Sequence, residues 1–169
     1  SIALEHTNFL GNTLTDIARH KAGIIKNGVP VVIGNLPVEA VAVITETAKD
    51  KGSKLLMLGA DFMVKDESYV NAKLKFDTLV RKMIGKHQAD NMALAITAFL
   101  IVAERLAIQL DEEAVKKGVA STTLAGRFEE VLPGVYFDGA HNPASAEKLV
   151  DTIKEHFPRK NIEFVVGMV

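Results

Sequence analysis

The sequence predicts an α/β fold, a parallel sheet with helices and a small antiparallel part, followed by a second unit that restarts the same pattern. Three observations predict it. From Ser1 to Leu58 the chain alternates strand, helix, strand, helix and strand with short turns, which is how parallel sheets are wound. After the small, polar stretch Ser121–Gly126 it begins again with strands and a helix. At Asp138-Gly139-Ala140-His141-Asn142-Pro143 an apolar run, Val135-Tyr136-Phe137, hands over to a helix start. In open α/β folds such junctions hold ligands, because unpaired helix N–H groups point into the crevice. A phosphate-bearing ligand and an ordinary capped turn with a surface histidine both fit those residues.

Taken in order, Ser1 to Leu4 reads as the tail of a strand, with Glu5 to Asn8 as the loop after it. Thr13 to Lys21 is a helix with Leu14, Ile17 and Ala18 on one face, and Gly23 is placed to end it with a left-handed residue. Val29 to Ile33 is a short strand entered through Gly28. Pro37 opens a helix to about Lys51, with Val38, Val41, Ala42, Thr45 and Ala48 on its inner side, and Gly52 stops it. Lys54 to Leu58 is the next strand. From Asp61 to Ile84 apolar and polar residues alternate at Phe62 and Val64 and again from Leu74 to Val80, so this part reads as antiparallel strands.

His87 begins a helix that is apolar almost all round from Met92 to Ala103, which predicts burial on most faces. Glu112 to Ser121 is a weaker, amphipathic helix. Phe128 to Val131 and Val135 to Phe137 are two strands joined at Pro133-Gly134, the second of them buried. Asn142 caps and Pro143 opens a helix with Ala146, Leu149, Val150, Ile153 and Phe157 on one face, and Ile162 to Val166 is a strand. The domain boundary falls near 125–126.

Bulk properties narrow the function classes. The chain has 169 residues, is 48% hydrophobic and carries a net charge of −1, so it can bury a core and has no basic footprint for nucleic acid. It has no cysteine, which excludes disulfides and thiolate metal sites and agrees with a reducing cytoplasm. The longest apolar run is too short for a membrane span. No signal peptide is legible at Ser1, no Met begins the chain, and Val169 stops inside an apparent strand, so both ends read as cut.

Four further clusters place polar groups where folding does not require them. Glu5-His6-Thr7 follows a strand end, where His6 is either a loop residue or a ligand for metal or phosphate. Arg19-His20-Lys21 ends a helix, so Lys21 either complements the helix dipole or is aimed into a site. His87, Gln88 and Asn91 share one side of a first helical turn, where amides can cap the helix or read an adenine edge. Gly126-Arg127 stands at the boundary, where a guanidinium can form a surface ion pair or fork onto a phosphate.

Together these motifs resemble the folylpolyglutamate synthase / dihydrofolate synthase family, a branch of the Mur-type ATP-dependent amide ligases. The matching residues are Glu5 to Thr13 with Ile17-Ala18, Lys21 to Lys26, His87-Gln88 with Asn91, Gly126-Arg127, and Asp138 to Pro143, and their order and spacing cover nearly the whole chain. The chain departs from the family at Glu5, where an Asp is usual, at His20, where a Glu is usual, and at Leu124-Ala125, where Trp-Pro often precedes Gly-Arg.

The resemblance implies an ATP-dependent ligase that adds L-glutamate to folate, dihydropteroate or both through an acyl phosphate. It implies residues 1–125 as the second half of a central ATP-binding domain and 126–169 as the start of a Rossmann-like C-terminal domain. His6 falls on the family's magnesium-binding histidine and Lys21 on its carbamoylated lysine. Gln88 and Asn91 fall on the adenine side, Arg127 on the ATP phosphates, Asp138 on the ribose, and His141 beside the nucleotide. Mg²⁺ and ATP are the implied cofactor and co-substrate, in a cytoplasmic, monomeric protein without nucleic-acid or membrane partners. No Gly-rich P-loop occurs in the chain. In the family that loop lies upstream of the region matched, so the chain alone is expected to be inactive. The rival readings are a Mur-type ligase with another acceptor and a non-catalytic nucleotide-binding module.

Overall fold

A computed structural model of the chain describes residues 13–167. Helix α1 (Leu14–Ala22) starts where the Thr13 hydroxyl turns back onto it, accepting the Asp16 N–H at 3.1 Å and donating to the Asp16 carboxylate at 2.6 Å. That satisfies one of the amides a helix start leaves without a partner. The left-handed stop expected at Gly23 does not occur. Gly23 stays right-handed at φ −58°, because its N–H reaches back to the Arg19 and His20 carbonyls and turn bonds continue to Ile25. The reversal comes at Gly28, φ +69°, whose N–H donates to the Lys51 carbonyl at 2.9 Å.

Strand β1 (Val31–Ile33), helix α2 (Val38–Asp50) and strand β2 (Leu55–Met57) form the expected β-α-β unit, with the strands parallel and Val31 opposite Leu55. Successive strand residues face opposite sides of the sheet. Val31, Ile33, Leu55 and Met57 pack toward α1 and α2 around Ile17, Ala18, Ala40 and Ile44. Val32, Leu56 and Leu58 enter a second core on the other side. The inner stripe of α2 is Ala40, Ile44 and Ala48, whereas Val38, Ala42 and Thr45 are exposed. Small residues explain the rotation: Ala40 and Ala48, with Ala18 and Ala22 of α1, let two helices approach closely where β-branched side chains would hold them apart.

The antiparallel part is confirmed as β3 (Phe62–Lys65), β4 (Ser68–Asn71) and β5 (Lys75–Phe76), hydrogen-bonded in that order. Asp66 and Glu67 both take positive φ in the tight turn between β3 and β4, as the two central residues of a twisted hairpin turn must. Phe62, Tyr69 and Phe76 stack at 6.4 and 6.0 Å and cover Met92, Ala93 and Ile96 of helix α3 (Lys86–Arg105). The Tyr69 hydroxyl is not orphaned in this core, for it bonds Thr97 Oγ1 at 2.9 Å and accepts from Asn71 Nδ2 at 3.1 Å. Burial of α3 on most faces is not found. Phe99 is 43% and Val102 50% exposed, because the sheets reach the helix from one side only.

Helix α4 (Glu112–Ser121) is capped by Asp111 and turns Val115 and Val119 toward the second core. Strands β6 (Glu129–Leu132) and β7 (Val135–Phe137) form an antiparallel hairpin closed by Pro133-Gly134, with a bulge between Glu130 and Leu132. The expectation that Val135–Phe137 is buried is overturned. All three residues are exposed, since among the described residues this hairpin pairs only with itself. The expected strand at 162–166 is also not formed, because no neighbouring strand among the described residues supplies its backbone partners.

Helix α5 (Pro143–His156) opens as expected. Asn142 Oδ1 accepts the Ser145 N–H at 2.8 Å and Ser145 Oγ accepts the Asn142 N–H at 3.1 Å. Its inward side carries Leu149, Thr152 and Ile153, while Ala146 and Val150 are exposed. Phe128, Tyr136 and Phe157 meet at centroid distances from 4.9 to 6.1 Å and hold the hairpin against α5. The fold class is therefore α/β, as the sequence predicts. No helix among the described residues is long and apolar enough to cross a membrane.

Candidate nucleotide cleft

Two local constraints bring separate parts of the chain together. Gly85, at φ +102°, precedes α3, and a β-carbon there would stand 2.7 Å from Thr152 Oγ1 and 3.0 Å from the His87 ring. Thr152 is only 2% exposed, so α5 seats on the start of α3 through a contact that only glycine permits. At the other end of the junction, Gly139 N–H donates to the Gly126 carbonyl at 2.8 Å, which clamps the two loops flanking the β6–β7 hairpin. Between the first turn of α3 and these loops lies a cleft of about 400 Å³.

His87, Gln88, Asn91, Arg127, Asp138 and His141 all line it. Five sequence-predicted site residues, Gln88, Asn91, Arg127, Asp138 and His141, therefore share one cleft. Lys21 does not: it is exposed at the end of α1 and is not part of the lining. His6 lies outside the described residues.

The polar groups are held in set orientations. Asp138 accepts the Phe128 N–H and the Ala140 N–H, each at 2.8 Å and each on a different carboxylate oxygen. Each oxygen keeps a further lone pair, so the carboxylate is fixed in place and can still accept from a ligand hydroxyl. His141 Nδ1 stands 2.8 Å from the Gly139 carbonyl, so Nδ1 carries a proton and Nε2 is the ring nitrogen left for a ligand. Gln88 is 7% exposed; its Nε2 lies 3.1 Å from His87 Nε2, and its Oε1 accepts from Asn91 Nδ2 at 2.9 Å. His87 titrates below its ordinary value, chiefly because burial disfavours the imidazolium and then because Lys148 stands near, with Arg127 adding to the effect and Asp138 and Asp90 opposing it. The Arg127 side chain is exposed.

Sequence reasoning missed Lys148. It lines the cleft with Ala144, Ser145, Leu149 and Thr152, a stripe at helical spacing along α5. That spacing was available in the sequence, but assigning Ala146 and Val150 to the inside turned Lys148 away. With Arg127 and Lys148 against Asp138, the cleft carries an excess of cationic side chains and suits an anionic ligand. Among the described residues no group of three or more His, Asp or Glu side chains comes together to hold a metal.

No family model matches the chain. Known proteins do. A folylpolyglutamate synthase of Lacticaseibacillus casei is 34% identical over 99% of this chain and 42% of its own length. A dihydrofolate synthase/folylpolyglutamate synthase of Bacillus subtilis is 34% identical over 98% of this chain and 41% of its own length. The resemblance to the folylpolyglutamate and dihydrofolate synthases holds. A solved folylpolyglutamate synthase complex with AMPPCP and folate superposes on 94% of this chain and 41% of its own, with a TM-score of 0.87 at 32% identity. The α/β fold is thus that of part of a folylpolyglutamate synthase. The chain spans about 42% of the length of the L. casei relative.

Proposed function

We propose that this chain is part of an ATP-dependent ligase that joins L-glutamate to folate, to dihydropteroate, or to both, through an acyl phosphate. The observation that carries the reading is the single cleft shared by Gln88, Asn91, Arg127, Asp138 and His141, in a chain that superposes on an enzyme solved with a nucleotide analogue and folate. In this reading Gln88 and Asn91 face the adenine, Asp138 accepts a ribose hydroxyl and Arg127 forks onto the phosphates. His141 presents Nε2 beside the nucleotide. Transfer of a phosphoryl group needs mostly positioning and charge neutralisation, and Arg127 supplies a cation.

The proposed division is 1–125 for the central ATP-binding part and 126–169 for the beginning of a Rossmann-like C-terminal domain. Cleft residues then come from both, and domain closure would complete the site. Magnesium is proposed through His6, and carbamoylation through Lys21. His6 lies outside the described residues, and Lys21 lies off the cleft. A cytoplasmic monomer is part of the same proposal.

Arg127→Ala in the complete protein tests it. Glutamate-dependent phosphate release should fall by at least about a hundredfold, the scale of removing one group that stabilises transition-state charge. Unchanged release would reject the assignment, and a complete protein with no nucleotide turnover at all would favour a binding module. The isolated chain, without a P-loop, is expected to release no phosphate.

A further inference from the structure

Arg127 stands between two residues whose backbones are both set at positive φ, Gly126 at +69° and Phe128 at +50°. Glycine reaches that region freely, whereas a bulky residue with a β-carbon stays there only where its surroundings enforce it. At Gly126 the N–H donates to Glu129 Oε2 and the carbonyl accepts from the Gly139 N–H, each at 2.8 Å. The Phe128 N–H donates to Asp138 Oδ2 at 2.8 Å. Its ring stacks on Tyr136 at 4.9 Å, with the planes 20° apart, and meets Phe157 at 6.1 Å. Between these two anchored neighbours, the Arg127 guanidinium makes no ion pair among the described residues and lines the cleft.

We propose that Phe128 is a positioning residue: its left-handed backbone, held by the Asp138 carboxylate and by the Tyr136 ring, turns Arg127 into the cleft toward the ligand phosphates. This rests on the nucleotide reading of the cleft. The ring contacts and the N–H bond offset what positive φ costs, and the strain they hold in place sets the direction of the neighbouring side chain. One carboxylate thereby serves two ends of the ligand. Asp138 keeps a lone pair for a ribose hydroxyl while it anchors the residue next to the phosphate-facing cation. A charge placed in advance stabilises a transferring phosphoryl group more than one that must find its position during the reaction.

Glutamate-dependent phosphate release by the complete protein tests this. Phe128→Ala loses the ring and keeps a β-carbon that disfavours positive φ, whereas Phe128→Asn loses the ring but tolerates that backbone. Phe128→Ala should lower kcat by about tenfold to a hundredfold, the scale of misplacing a group by about an ångström, and Phe128→Asn should stay close to wild type. In an Arg127→Ala background Phe128→Ala should bring no further loss, because it acts through Arg127. Tyr136→Ala removes the stacked ring from the neighbouring strand, should lower kcat in the same way, and takes the place of Phe128→Ala if that variant does not fold. Equal losses in Phe128→Ala and Phe128→Asn would mean that the ring matters and the backbone does not. A loss that adds to that of Arg127→Ala would mean that Phe128, which also borders the cleft, touches the ligand itself. Either result overturns the positioning role and leaves the nucleotide reading standing. If Arg127→Ala alone releases phosphate as wild type does, that reading falls and the positioning role with it.

Discussion

Single residues decide how the two parts of the chain meet. Gly85 has positive φ and no room for a β-carbon beside Thr152. Gly85→Ala should therefore cost about 1–3 kcal/mol, from backbone strain together with displacement of α5. Urea denaturation checks it, and Gly118→Ala, an open helical position, should by contrast be neutral or slightly stabilising. His87 adds a pH dependence. Its folded-state value lies below the unfolded one, so the unfolded chain binds the proton more readily between them. Its contribution to stability is therefore complete above the ordinary value of 6.5 and falls away as pH drops toward the folded-state value. Midpoints of unfolding across that window should be lower at the acid end in wild type, and this component should vanish in His87→Ala.

At the level of elements, the N-cap of α5 gives the next prediction. Asn142 and Ser145 satisfy each other's amides, so Asn142→Ala should cost about 1 kcal/mol in thermal or urea unfolding. That cap was legible in the sequence because Asn-Pro chemistry is local. So were the β-α-β order of β1, α2 and β2, the presence of an antiparallel part after β2, and the Pro133-Gly134 turn. What periodicity alone got wrong was orientation. The stripes expected on α2 and α5 included Val38, Ala42, Thr45, Ala146 and Val150, which are exposed, and left out Ala40, Ile44 and Thr152, which are buried. Likewise Val135–Phe137 and residues 162–166 are apolar enough to suggest buried strands, but burial depends on a neighbour, which no local pattern specifies. The site was legible in type: the motif residues at 88, 91, 127, 138 and 141 do share a cleft. Lys148 was not, because finding it required the rotation of α5.

For the whole molecule, the question is whether the cleft acts as one site or as two neighbouring walls. Its lining comes from α3 on one side and from the 124–152 segment on the other, and backbone clamps within the latter run through Asp138. A ligand bridging both walls lowers the free energy of the closed arrangement only, so it should slow local opening on each side together. Hydrogen exchange with and without ADP reads this directly. The amides of Phe128 and Ala140, which donate to Asp138, should be protected along with the first turn of α3 around Gln88. Asn91→Ala and Arg127→Ala should then be non-additive in ADP binding, because each removes one end of a shared ligand. Protection confined to α3, with additive substitutions, would mean that the 124–152 segment only borders the nucleotide. Joint protection would make the join at Gly85 and Thr152 part of what the ligand stabilises.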